Sequence, residues 1–138
     1  MSDLRTRVLG RLEIQPDGCV LWTGARSDTG YGQAGDGGRV LYVHRLMYEW
    51  FVDPIPPSAQ IDHLCRVRHC AAPAHLEAVP RRENILRGQS PAAINAAREE
   101  CTHGHPFDDT NTQRISTRPH VRRCRICHNS WRPSRGVQ

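Results

Sequence analysis

The sequence predicts a small α+β protein built around a strand–loop–strand–helix unit, and three observations carry that prediction. The chain has 138 residues, which fits one domain with a small appendage better than two full domains. Its strong core formers are 9 Leu, 7 Ile, 9 Val and 2 Phe, together 27 of 138 residues. That share lies just under the ~20% at which an ordinary apolar core becomes doubtful. Its six cysteines and eight histidines fall into two sets with metal-ligand spacing, which supplies what the core lacks.

Taken in order, Asp17-Gly18-Cys19-Val20-Leu21-Trp22-Thr23 reads as a turn followed by a short strand. A Gly-rich stretch runs from Gly24 to Gly38, and strand propensity returns at Arg39-Val40-Leu41-Tyr42-Val43. These segments predict an amino-terminal antiparallel sheet with loose loops. His44 to Val52 reads as a helix, which Pro54, Pro56 and Pro57 end. Ala59-Gln60-Ile61-Asp62-His63-Leu64 and His75-Leu76-Glu77-Ala78-Val79 read as strands. A helix follows from Pro80 at its first position to Leu86, with Gly88 as its stop. Ser90-Pro91 then opens an alanine-rich connector helix to about Glu100. The implied organisation is an amino-terminal sheet and helix over 1–58, a ββα core over 59–88, a helical connector over 89–100 and a carboxy-terminal module over 101–138.

Cysteine spacing defines the two clusters. Cys65-x4-Cys70-x4-His75 offers three soft ligands, and the one cysteine left outside the tail, Cys19, is the fourth. Cys101-x3-His105 with Cys124-x2-Cys127 forms a second set of four. Structural zinc is nearly always four-coordinate and bound by sulfur and nitrogen, so two Cys3His zinc sites account for all six cysteines. His69 and His103 stand as alternative histidine ligands. Closed sites of this kind fold a protein and leave no coordination position for chemistry.

Charge narrows the function further. All 19 positive side chains are arginine, so lysine Schiff-base chemistry and lysine-dependent phosphate loops are excluded. The net charge of +5 resides in the tail, where residues 101–138 hold seven Arg against two acids. Arg118, Arg122, Arg123, Arg125, Arg132 and Arg135 suit a nucleic-acid backbone, although a solvated face has the same composition. No apolar run approaches the ~18 residues of a membrane span, and the amino terminus lacks a secretory signal pattern. The expected protein is soluble, intracellular and without a membrane partner.

One further pattern stands beside the first cluster: Asp62-His63, with Asn84 in the helix 21 residues after His63. Together with His63-Leu64-Cys65, Cys70, Pro73-Ala74-His75-Leu76 and Glu83-Asn84, it resembles the HNH family of His-Me finger (ββα-metal) endonucleases. The resemblance covers roughly Cys19 to Gly88 and is strongest to His-Cys box homing nucleases and phage HNH proteins. It implies that His63 is the general base, that Asn84 holds magnesium, and that Cys65, Cys70 and His75 bind structural zinc with Cys19. Arg39 resembles the arginine that contacts the scissile phosphate. Asp62 resembles the acidic metal ligand of many HNH proteins, but neighbouring strand residues point to opposite faces. Asp62 and His63 therefore share a site only where the strand bends or ends.

These residue types suit phosphodiester hydrolysis. A histidine takes a proton from water near neutral pH, and a cation carries the charge that grows on the phosphate. Magnesium, or manganese in its place, needs one or two protein oxygens, and Gly88 stands where some HNH enzymes carry a histidine, which favours a hard ion. His44 is read as a packed residue or a DNA contact. The implied activity is endonuclease cleavage of double-stranded DNA, by nicking or double-strand cutting, in the cytoplasm of a bacterium or a phage-infected cell. The alternative is a non-catalytic zinc-dependent DNA-binding protein on the same scaffold. The spacing of the second cluster departs from the His-Cys box pattern and resembles the treble-clef or ribbon tails of some phage and actinobacterial proteins. The homodimer typical of homing enzymes is therefore an open expectation.

Overall fold

The computed structural model describes residues 3–131, the side chains of residues 119 and 120 excepted, and the chain divides into two units, Met1–Gly88 and Gln89–Gln138. Arg132 and Arg135 of the basic tail lie outside the described residues.

In the first unit, α1 (Leu4–Leu9) leads into β1 (Leu12–Ile14), which pairs antiparallel with β2 (Val20–Trp22) in the register Leu12↔Trp22. The strands expected at the amino-terminal end are antiparallel and divide between two hairpins. The second hairpin joins β3 (Gln33–Asp36) to β4 (Arg39–Tyr42) through Gly37 and Gly38. Both glycines have positive φ, at 53° and 81°, the conformation that a two-residue turn needs to match strand twist. The Gly-rich stretch before it is less loose than composition implies, because Trp22 fills it. A Cβ on Gly24 would sit 2.3 Å from the Trp22 ring and one on Gly32 would sit 2.8 Å from it. The Trp22 indole N–H also donates to the Ala25 carbonyl at 2.8 Å.

Helix α2 (Val43–Phe51) buries Val43, His44 and Met47 along one face and stops ahead of the proline cluster. The ββα unit follows. Strand β5 (Ala59–His63) pairs antiparallel with β6 (Leu76–Pro80), with Asp62↔Glu77 and His63↔Leu76 in register, and α3 (Arg81–Arg87) packs behind. A 3₁₀ turn at Pro73–His75 closes the loop between the strands. Pro80 ends β6 and caps α3, so the helix begins one residue later than its proline predicts. The core consists of Val8, Trp22, Ala34, Val43, Met47, Ile61, Ala71 and Leu76, with a separate buried patch of Cys19, Cys70 and Ala72. Three of these eleven side chains are alanine, so apolar burial alone contributes modestly.

In the second unit, α4 (Pro91–Ala97) carries the expected cap, with Ser90 Oγ accepting from the Ala93 N–H at 3.2 Å. The helix ends at Ala97 rather than near Glu100, because Arg98 turns extended and Glu100 bridges to Pro106. Arg122 meets the freed carbonyls of Asn95, Ala96 and Arg98. Strands β7 (Thr112–Ile115) and β8 (Arg118–Cys124) form an antiparallel hairpin, and α5 (Arg125–Ser130) follows. Among the described residues no helix is long and apolar enough to cross a membrane.

Candidate active site and metal clusters

Strand alternation sorts the residues of β5 onto two faces. Gln60 and Asp62 point toward α3, where the Asn84 amide donates to Gln60 Oε1 at 2.9 Å and Arg87 reaches Asp62 at 3.5 Å. Asp62 and Asn84 are therefore brought to one side of the unit and linked through their neighbours. His63 points the other way and is the last residue of the strand, where the chain turns with the Arg66 N–H on the His63 carbonyl at 3.0 Å. Among the described residues no hydrogen bond joins His63 to Asp62 or Asn84. The strand ends where the two faces need to meet if they are to share a site.

His63 is 5% exposed, and its Nε2 lies 3.1 Å from the Cys70 carbonyl. A carbonyl oxygen only accepts, so Nε2 carries the proton and Nδ1 keeps the lone pair. Burial lowers the pKa of His63, a shift that the Cys70 carbonyl and the Asp62 charge oppose only in part. The imidazole is therefore neutral near pH 7, with a defined tautomer. Its ring packs 4.9 Å from that of His44 and 5.7 Å from that of Tyr31, over which Arg68 lies at 5.7 Å. His44 is buried too, and its Nδ1 has no hydrogen-bond partner among the described residues. Burial, then the neighbouring His63 and Arg45, bring its pKa down to about 3.

Asp62 is the charged member of the opposite face and is 4% exposed. Arg66 donates to Oδ1 at 2.7 Å and Arg87 to Oδ2 at 3.5 Å, and Arg87 also binds Glu77 and Glu83. Sequence reasoning found Asp62 without these two arginines. Arg87 lies one helical turn beyond Asn84, which is the one signal that it shares the Asn84 face.

The first sulfur–nitrogen cluster gathers Cys19, Cys65, Cys70 and His75, whose ligand atoms all lie within 4.8 Å of one another. His75 presents Nδ1, at 3.6 Å from Cys19 Sγ and 3.7 Å from Cys70 Sγ. Cys19 arrives because β2 runs along the loop: Trp22 N–H donates to the His69 carbonyl, and Ala71 N–H to that of Val20. His69 lends its backbone to this contact and is not in the cluster. Burial and the neighbouring thiols push Cys19 up to about 12, so thiolates crowd here only when a cation offsets their repulsion.

The second unit gathers Cys101, His105, Cys124 and Cys127 in the same way. His105 Nδ1 lies 3.2 Å from Cys127 Sγ and 3.5 Å from Cys101 Sγ, and His103 Nδ1 reaches Cys127 at 3.4 Å from outside the four. Burial opposes ionisation of Cys124, but the Cys127 N–H and the surrounding side chains outweigh it and bring the thiol down to about 6. Asn111, which nothing in the sequence flagged, is 4% exposed and clamps the site. Its amide donates to the Pro106 carbonyl while its oxygen accepts from the Ile126 N–H, tying the two ligand pairs together.

The arginines expected on DNA differ in availability. Arg39 is exposed beside the Gly37–Gly38 turn, three residues or about 10 Å along the strand from Tyr42, whose ring packs against His44. Arg118, Arg123 and Arg125 are exposed. Arg122 is not free for a phosphate: it caps α4 and lies 4.5 Å over the Phe107 ring.

A family model described as HNH endonuclease matches residues 41–86, a span that holds His44, Asp62, His63, Cys65, Cys70, His75 and Asn84 but neither Cys19, Arg39 nor the second cluster. "Protein 2.8" of Escherichia phage T7 is 33% identical over 84 residues, 59% of this chain and 57% of that protein. The "Uncharacterized gene 5.3 protein" of Enterobacteria phage T3 is 31% identical over 84 residues, covering 56% of this chain and 83% of that protein. "Protein 7.7" of Escherichia phage T7 is 33% identical over 58 residues, 42% of this chain and 45% of that protein. The chain thus spans little more than half the length of the T7 protein 2.8. No solved structure matches.

Proposed function

The chain belongs to the HNH endonuclease family, and from that premise we propose that it is a metal-dependent DNA endonuclease with His63 as general base. The observation that carries the reading is the state of His63: buried, neutral, and anchored through Nε2 on the Cys70 carbonyl. That leaves Nδ1 as a base of fixed direction. His63 Nδ1 takes a proton from water, and the resulting hydroxide forms a bond to phosphorus as the P–O3′ bond breaks. The departing oxygen takes a proton from solvent, which leaves 5′-phosphate and 3′-hydroxyl ends.

The hard oxygens of Asp62 and Asn84, on one face of β5 and α3, form a donor set suited to magnesium, with manganese as a substitute. When bound there, such an ion supplies positive charge for the phosphate and the leaving oxygen. The thiols and imidazoles of the two clusters suit zinc instead, and four ligands in each close the site to substrate. Zinc in this reading holds Cys19 to the loop after His63 in one unit, and ties the α4 segment's neighbours Cys101 and His105 to Cys124 and Cys127 in the other. Arg39, Arg118, Arg123 and Arg125 contribute phosphate contacts to double-stranded DNA. The phage origin of the relatives points to the cytoplasm of an infected bacterium as the setting.

The test is cleavage of supercoiled plasmid by zinc-loaded protein with and without magnesium, beside His63→Ala. Nicked or linear product that requires magnesium and disappears in the variant supports the reading, and linear product formed without a nicked precursor indicates a homodimer. One observation favours a second reading: both oxygens of Asp62 are engaged by arginine, as suits a scaffold that holds no catalytic ion. Intact plasmid shifted equally on a gel by both proteins establishes that alternative, a non-catalytic zinc-dependent DNA-binding protein.

A further inference from the structure

We propose that Arg66 is the arginine that contacts the phosphate being cut, a role that rests on the nuclease reading of the His63 site. Arg66 stands three residues after His63, in the turn that ends β5, with its N–H on the His63 carbonyl at 3.0 Å. Its φ is 61°, and it is the one non-glycine residue of positive φ among the described residues. A turn that needed this backbone alone would be met best by glycine, because an L side chain is disfavoured there. Strained positions of this kind cluster where a side chain must be delivered to a site. Arg66 delivers a guanidinium: Nη1 meets Asp62 Oδ1 at 2.7 Å while 53% of the side chain stays exposed. One edge of the fork is fixed on Asp62, in the turn that follows His63, and the rest faces solvent.

The other arginines near the site do not meet this description. Arg87 is 31% exposed and is held by Asp62, Glu77 and Glu83 together, so it is occupied as a structural cation. Arg39 sits at the turn end of its hairpin, away from the Tyr42 end that packs against His44. Arg68 lies over the Tyr31 ring on the His63 side with its Nη1 on the Thr29 carbonyl at 2.8 Å, whereas Arg66 follows His63 in the same turn and is open to a ligand. Its planar fork suits two non-bridging phosphate oxygens, whose charge grows as the hydroxide adds. Arg66 and a divalent ion draw on the same carboxylate, so removing the guanidinium leaves Asp62 no less available to the ion.

The test measures single-turnover cleavage at saturating protein and magnesium, thermal unfolding, and manganese binding by calorimetry without DNA, all on the full-length zinc-loaded chain. Arg66→Gly relieves the left-handed strain. We expect it to keep or raise the unfolding temperature, bind manganese at least as tightly as wild type, and cut about 100-fold more slowly, the scale of losing one charge-stabilising donor. Cleavage within threefold of wild type overturns the proposal, and so does weakened manganese binding, which would trace the slow rate to the ion site. If Arg66→Gly fails to fold, Arg66→Lys decides. It keeps the charge and loses the fork, so slowing of about tenfold at the wild-type unfolding temperature supports the role and an unchanged rate overturns it. Wild-type protein that binds plasmid without cutting sinks the nuclease reading and this role with it. Loss of cutting in His63→Ala but not in either Arg66 variant sinks this role alone.

Discussion

Two neutral imidazoles set edge to face with centroids 4.9 Å apart make the site sensitive to acid. His44 titrates near 3 in the folded chain and near its ordinary 6.5 when unfolded. The unfolded state therefore binds the extra proton between those values. The stability that neutral His44 contributes is fully present above pH 6.5 and declines as pH falls toward 3, by about 1.4 kcal/mol per pH unit. His63, lowered in the same direction, adds to the effect. His44→Phe keeps an aromatic ring against Tyr31 and Tyr42 and removes the unpartnered Nδ1. It is expected to flatten the acid side of the stability curve in urea titrations between pH 5 and 7. A variant whose stability falls with acid as steeply as wild type would show that His44 does not carry this dependence. The sequence made His63 visible through its spacing to Cys65 and Asn84. His44 showed no comparable signal, because its burial follows from α2 packing over Tyr31 rather than from any local pattern.

At the scale of elements, one arginine-rich strand does two jobs. Arg122 on β8 caps α4 and stacks on Phe107, whereas Arg123, next along the strand, is exposed. Arg122→Ala is expected to cost about 1–2 kcal/mol in carboxy-terminal stability, from lost hydrogen bonds and one cation–π contact. Arg123→Ala leaves unfolding unchanged, weakens DNA binding and reduces the slope of log affinity against log salt by about one. Equal effects of the two substitutions on stability would contradict this division. Composition could not separate these two residues, since a count of arginines is blind to which faces back onto the helix. The β7–β8 hairpin was hidden for the same reason: Arg114, Arg118, Arg122 and Arg123 mask its strand pattern. Strand β5, strand β6 and α3 were legible because prolines and Gly88 punctuate them. Ser90 was legible as a cap because capping is a local property of the chain.

For the molecule as a whole, the clusters compensate for a small core. The first cluster draws together residues as far apart as Cys19 and His75, and the second links Cys101 to Cys127. Zinc content is expected to be two ions per chain, and chelation to abolish cooperative unfolding in both units. Cys19→Ser is expected to lower affinity at the first site alone, and Cys124→Ser at the second alone, by equilibrium dialysis. An apoprotein that melts at the holoprotein temperature would contradict the structural role given to the metals. Ligand spacing announced these clusters because four soft donors are costly to bring together without an ion. The arginines on Asp62 went unseen, since Arg66 reaches it through a left-handed turn that no spacing rule describes.

The measurement closest to the central claim is the pH dependence of single-turnover plasmid cleavage, from pH 5 to 8 with saturating magnesium, for wild type and His63→Ala. A neutral, burial-lowered His63 predicts a wild-type rate that is level near neutrality and falls tenfold per unit only below an apparent pKa under 6.5. The variant should lack that limb and run about 10²–10⁴-fold slower. A variant that cuts within a few-fold of wild type with the same acid limb would remove His63 from the chemistry.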